Sequence, residues 1–183
     1  MTTLEETLRV SCLRDVAAVA KDWSATHVVS LIDPELADEL VPRIERGEHH
    51  LLRLRDQENA ASTGHFQDTM TAFFDVVLPA IEQQDSRILV HCHAGVSRST
   101  AFAYAIIAHR FGPGREAEAF DALLTIVRKP WPNRRIIEVF DDHWGRQGRM
   151  LAPLDAMRAK HPKRIDAWLR YNEKRGLFAT YGR

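Results

Sequence analysis

Residues 91–100 read His91-Cys92-His93-Ala94-Gly95-Val96-Ser97-Arg98-Ser99-Thr100, which sets a cysteine and an arginine six positions apart, with glycine between them and a hydroxyl residue directly after the arginine. The run before it, Arg87-Ile-Leu-Val90, has the composition of a buried strand, and residues 99–111 carry helical spacing. The decapeptide therefore turns a strand into a helix. A helix N-terminus offers unpaired N–H groups and the positive end of the macrodipole, which suits an anion such as phosphate. Arg98 adds a planar fork able to bond two phosphate oxygens, and Gly95 tolerates the backbone needed to point amides inward. The same field acts on the thiol: a free cysteine titrates near ~8.5, whereas one at a helix N-terminus falls to roughly 3.5–7.5. Cys92 is the candidate nucleophile, and residues His93, Ala94, Gly95, Val96, Ser97 and Arg98 are the candidate phosphate cradle.

A metal site on His91, Cys92 and His93 is excluded by geometry. Adjacent residues of an extended segment point to opposite faces, and no second Cys/His cluster has zinc-like spacing.

Outward from the loop, strand and helix patterns alternate. Residues 8–13 and 27–32 predict strands, 15–23 a helix, and 49–54 a third strand. Asp33-Pro34 has the form of a helix cap followed by a first-turn proline, which predicts a helix running to Gly47. Residues 65–84 predict a long helix with Phe66, Met70, Phe73, Val77 and Ile81 along one side. After the signature loop the chain reads as helical throughout, with segments 115–128, 135–147, 151–160 and 164–174 separated by Pro130, Pro132, Gly148 and Pro162. The fold class expected is α/β: a mostly parallel central sheet flanked by helices, with a helical C-terminal half. In such sheets ligands bind beyond the carboxyl ends of the strands, where Cys92 lies.

At 183 residues the chain fits one domain, with 150–183 a helical extension packed on it through Leu154, Ile165, Trp168 and Leu169. The 25 basic and 25 acidic side chains cancel, so global charge points to neither nucleic acid nor a membrane surface. No apolar stretch reaches membrane-spanning length, the first residues lack the pattern of a signal peptide, and Cys12 and Cys92 are the only cysteines. A thiolate nucleophile needs a reducing compartment, so a cytoplasmic location is expected.

The loop resembles the signature loop of the cysteine-based protein tyrosine phosphatases, and its Ala94-Gly95-Val96-Ser97-Arg98-Ser99 form is most similar to the compact dual-specificity branch. The resemblance implies a phosphomonoester hydrolase that works through a phosphocysteine intermediate, without a cofactor or metal, on a phosphorylated protein or small phosphomonoester. It also implies a carboxylic acid on a loop well upstream of the cysteine. Asp56, 36 residues before Cys92, is the best match, with Glu58 and Asp68 as alternatives. Asp56 also fits a plain turn carboxylate. Ser99 is implied to serve the departing sulfur, against a reading as a helix cap; His91 is implied to shape the loop, against a reading as a buried imidazole. The segment Lys129-Pro-Trp-Pro-Asn-Arg-Arg135 resembles the Pro-Asn loop of dual-specificity phosphatases, which makes Asn133 an orienting residue; it equally reads as the next helix cap. Arg134 and Arg135 read as pocket-rim or solvated charges.

The chain departs from the classical tyrosine phosphatases in having no Trp-Pro-Asp acid loop before Cys92. The cradle brings no lysine, which disfavours a multiply charged lipid headgroup. A noncatalytic phosphate-binding regulatory protein is the alternative to an active enzyme.

Overall fold

In the computed structural model, residues 3–59 and 63–174 are described. Strands β1 (Leu8–Cys12), β2 (His27–Ile32), β3 (Glu48–Arg53) and β4 (Ile88–Cys92) form one sheet in the order β1-β4-β2-β3, with every pairing parallel. The expected α/β class is the observed one. Every residue of the two central strands is buried, because helices cover both faces, and this is why β2 and β4 are mostly apolar, broken only by His27, Ser30 and His91.

Alternation along the strands sorts the core into two layers. Val28 and Leu89 face Val16 and Ala20 of helix α2 (Val16–Asp22), while Val29, Ile88 and Val90 face the larger layer on the other side. That layer is organised by α5 (Arg98–Phe111), whose residues 98–108 are all buried. Around it lie α3 (Gly64–Ala72), α4 (Leu78–Ile81), α6 (Glu116–Ile126), α7 (Arg134–His143) and α8 (Leu151–Lys160), and a short α1 (Leu4–Thr7) precedes β1. Phe73, Phe102 and Phe140 meet edge to face, with ring centroids 4.8–5.4 Å apart. Truncating any of the three to alanine should cost about 3–5 kcal/mol.

The segment after β2 differs from expectation. No helix runs from Asp33 to Gly47; the chain makes a turn and a 3-10 helix at Asp38–Leu40. Arg53 supplies the reason, since its Nη1 donates to the carbonyls of Asp33, Pro34 and Leu36, groups that a first helical turn would use itself. Leu40, which would have anchored the apolar face, is 61% exposed. The long helix expected at 65–84 is also interrupted, by a π-helical turn at Phe73–Val77 between α3 and α4. Pro79 lacks an N–H for the α-helical ladder, and the wider turn absorbs that loss.

In helix α9 (Arg164–Lys174) of the C-terminal extension, Ile165 and Trp168 pack against the core, whereas Leu169 is exposed. Residues 175–183 of that extension lie outside the described residues. Among the described residues, no helix is long and apolar enough to cross a membrane.

Candidate active site

β4 ends at Cys92 and α5 begins at Arg98, so residues 93–97 form a tight loop over the helix N-terminus. Three carbonyls of that loop accept backbone N–H groups from elsewhere in the chain. Leu13 N–H donates to His93 O, Trp131 N–H to Val96 O, and Asn133 N–H to Ser97 O, at 3.0–3.3 Å. With carbonyls tied outward, the loop amides are free to converge on an anion. Gly95 has φ +72°, and a Cβ there would sit 2.7 Å from Ser11 O, so a side chain is barred by conformation and by space.

The Cys92 thiol lies at the bottom of the loop, 1% exposed; Gly95 N–H donates to Sγ at 3.3 Å, and Ser99 Oγ lies within hydrogen-bond distance of it at 3.1 Å. Both neighbours suit a sulfur that carries negative charge. Cys12 stands directly across from Cys92 in the β1–β4 register, and its Sγ contacts Asp15 Oδ2 at 3.1 Å.

Arg98 is 2% exposed, and its Nη1 donates to Asp33 Oδ1 at 2.9 Å and to Leu54 O at 2.6 Å. Its Nε has no hydrogen-bond partner among the described residues. A buried guanidinium held on one edge and unpaired at Nε is complete only when an acceptor arrives. Asp33, read from sequence as a helix cap, is instead fully buried at this centre. Its missed signal was position: it is the first residue beyond β2, on the sheet edge where parallel sheets bind ligands. Burial raises the Asp33 carboxyl above its ordinary range, and nearby Asp56 adds to this; Arg98 pulls the other way without prevailing.

His93 Nε2 accepts from Asp33 N–H at 3.3 Å and lies 3.2 Å from Asp33 Oδ2. Burial, reinforced by Arg98, lowers His93 to about 4, so the ring is neutral near pH 7. His91 is fully buried and lowered to about 3, mainly by desolvation. Its Nε2 contacts Ser30 Oγ, which also contacts His49 Nε2 at 2.7 Å. An imidazole so enclosed braces the strand end and is poorly placed to exchange protons with solvent.

Asp56 lies across from the cradle. Its Oδ1 accepts from Ser97 Oγ at 2.7 Å and from Asn133 Nδ2 at 2.8 Å, and its Oδ2 is 3.9 Å from Arg98 Nε. Of the two alternatives, Glu58 lines the same cavity as Asp56 but is engaged by arginine, and Asp68 does not line it. Glu58 accepts both Arg158 Nη1 and Nη2 and the Arg134 backbone N–H, which makes it an anchor between the segment after β3 and α8. Asp68 lies on the exposed face of α3. Asn133 does two things at once: its Oδ1 caps α7 by accepting Ile136 N–H, and its Nδ2 holds Asp56. Arg134 pairs with Glu138 and Asp155, and Arg135 stacks on Phe66, so neither faces the cradle.

A cavity of about 290 Å³ opens at the loop, lined by Asp56, Glu58 and Ser97 together with Trp131 and, from α9, Ile165 and Trp168. Helix α9 therefore forms a wall of the site, which sequence reasoning did not foresee. Trp168 Nε1 fixes it by donating to Lys129 O at 2.8 Å.

No family model matches the chain. Over 72 residues it is 36% identical to protein phosphatase Slingshot homolog 3 of Rattus norvegicus, a match covering 39% of this chain and 10% of that protein. The chain thus aligns with about a tenth of this curated relative's length. Among solved structures, it superposes on the human tyrosine phosphatase-like serine/threonine/tyrosine-interacting protein with a TM-score of 0.60 at 21% identity, covering 74% of this chain and 89% of that one. Human DUSP28 gives 0.57 at 16% identity over 75% and 88%, and the PTP-2 phosphatase of Cydia pomonella 0.55 at 23% over 74% and 84%. The chain has the fold of the dual-specificity and tyrosine phosphatase-like proteins.

Proposed function

We propose that this protein is a cysteine-dependent phosphomonoester hydrolase of the protein tyrosine and dual-specificity type. The observation that carries the reading is the unpaired Nε of the buried Arg98, in the same loop as the Cys92 thiol and 3.9 Å from Asp56. In the proposed reaction the Cys92 thiolate attacks phosphorus and the bond to the leaving oxygen breaks. Asp56 gives that oxygen its proton, a contribution of roughly 10²–10⁴ in rate. The loop amides and Arg98 hold the three equatorial oxygens while charge redistributes. Water then attacks the phosphocysteine, Asp56 takes its proton, and the Cys92 sulfur leaves as thiolate with the Ser99 hydroxyl donating to it. Phosphate departs. Gly95 and Ser97 shape the cradle, His91 braces its strand, and Asn133 and Ser97 together aim Asp56.

Steady-state hydrolysis of an aryl phosphate by wild type, Cys92→Ser and Asp56→Ala tests this. Turnover should vanish with Cys92→Ser. With Asp56→Ala it should drop by about 10² or more, and by less for a leaving group that needs no proton. Wild-type turnover no greater than that of Cys92→Ser would leave a phosphate-binding protein without catalysis, and equal rates for Asp56→Ala and wild type would remove Asp56 from the mechanism.

A further inference from the structure

We propose that His27, Glu48 and His50 form a zinc site that clamps edge strand β3 to β2, at the end of the sheet opposite the signature loop. His27 opens β2 and stands in register with Glu48, which opens β3; His50, two residues further along β3, faces the same side. Parallel pairing thus gathers ligand-bearing side chains that are more than twenty residues apart in sequence.

The geometry fits the ion. His27 Nδ1 is 3.2 Å from His50 Nε2, and Glu48 Oε2 is 3.7 Å from each. A circle through three atoms so spaced has a radius of about 2.05 Å, within the range of zinc bonds to imidazole nitrogen and carboxylate oxygen. A cation at its centre, or slightly above it, meets all three ligands and keeps a fourth position open. Without the ion, the two ring nitrogens share an N–H···N hydrogen bond along the line between them. Binding moves that proton to the donor ring's other nitrogen and rotates both rings enough to aim their lone pairs at the centre.

The donor set selects the ion. Two imidazoles and one carboxylate suit zinc far better than magnesium or calcium, which take oxygen ligands. His27 is largely buried and Glu48 exposed, and both line a cavity beside α2. Lys21, Arg43 and Arg46 rim the same cavity, so an oxygen-only site there would be weak against their charge. The imidazoles make the difference.

The test titrates Zn²⁺ into metal-free, tag-free full-length protein, with native mass spectrometry for stoichiometry, calorimetry for affinity and thermal unfolding for the clamp. Cys92→Ser serves as background, removing the active-site thiolate as a competing ligand. One Zn²⁺ should bind per chain, with Tm rising roughly 5–10 °C at free zinc a hundredfold above Kd. His50→Ala should abolish both effects. Glu48→Gln, at an exposed position that leaves packing intact, should weaken binding by about tenfold or more. Zinc binding that disappears in Cys92→Ser, or that persists at full affinity in His50→Ala and Glu48→Gln, overturns the site. Neither outcome bears on hydrolysis at Cys92.

Discussion

Asp33 is where a conservative and a drastic substitution should part company. In Asp33→Ala, Arg98 Nη1 loses its 2.9 Å acceptor and keeps only Leu54 O at 2.6 Å. A hydrogen bond to a charged group contributes about 1.5–3 kcal/mol, so this variant should lose about that much stability. Its kcat/KM should fall roughly tenfold to a hundredfold as the guanidinium leaves its set position, at about 1.4 kcal/mol per factor of ten. Asp33→Asn retains an oxygen at the same place and removes the charge. Burial raises the Asp33 carboxyl from an ordinary value of 3.8, so the folded protein holds this proton to higher pH than the unfolded chain does. Stability from that proton is complete below about 3.8 and lost as pH climbs through the raised value. Where the carboxyl is ionised it is a net cost, so above the raised value Asp33→Asn should match or exceed wild type in urea denaturation, the gap closing in acid. Losing a buried negative charge beside the cradle should also tighten inhibition by inorganic phosphate. The assay is urea midpoints at pH 4.5 and 7 alongside kcat/KM on an aryl phosphate. If Asp33→Asn proves as damaging as Asp33→Ala at pH 7, charge rather than the acceptor oxygen holds Arg98, and the reasoning fails.

Three further outcomes are expected. Asn133→Ala should lower stability by about 1 kcal/mol through the lost cap and also reduce kcat; Asn133→Asp, which can cap but sets a second carboxylate against Asp56, should spare stability and shift the pH profile of kcat, and an unchanged profile would dismiss the Asn133–Asp56 coupling. Trp168→Ala, which frees α9 from Lys129 O, should raise KM for an aryl substrate roughly fivefold, about 1 kcal/mol, with kcat for a small alkyl phosphate unchanged; equal KM values would take α9 out of the binding wall. His93 is lowered to about 4 from 6.5, so between these values the unfolded chain binds the extra proton and stability falls as pH falls. His93→Gln should reduce the slope of unfolding free energy over that window by up to about 1.4 kcal/mol per pH unit, and an identical slope would mean that the ring titrates normally.

The signature loop was legible because its chemistry is local: Cys92, Gly95 and Arg98 lie within one strand-to-helix turn, and β4 and α5 follow from their own periodicity. Asp33 was misread for the opposite reason. Asp-Pro satisfies every local rule for starting a helix, and only Arg53 and Arg98, both distant in sequence, redirect it. Asn133 left two readings open because one amide serves two partners. The zinc ligands could not be seen at all, since their proximity exists only in the β2–β3 register. The wall formed by α9 depends on how a terminal helix folds back, which periodicity does not encode.

The outward ties of the signature loop have a consequence for assembly. Its carbonyls are held by amides at position 13 near one end of the chain and at 131 and 133 well beyond α5. None of these three ties can form while the strand-to-helix turn is isolated local structure, and each closes a long loop that is slow to bring together. The loop, and with it the proposed phosphate site, is thus among the last features to mature during folding. A refolding chain should regain helical content and compactness before it regains affinity for phosphate.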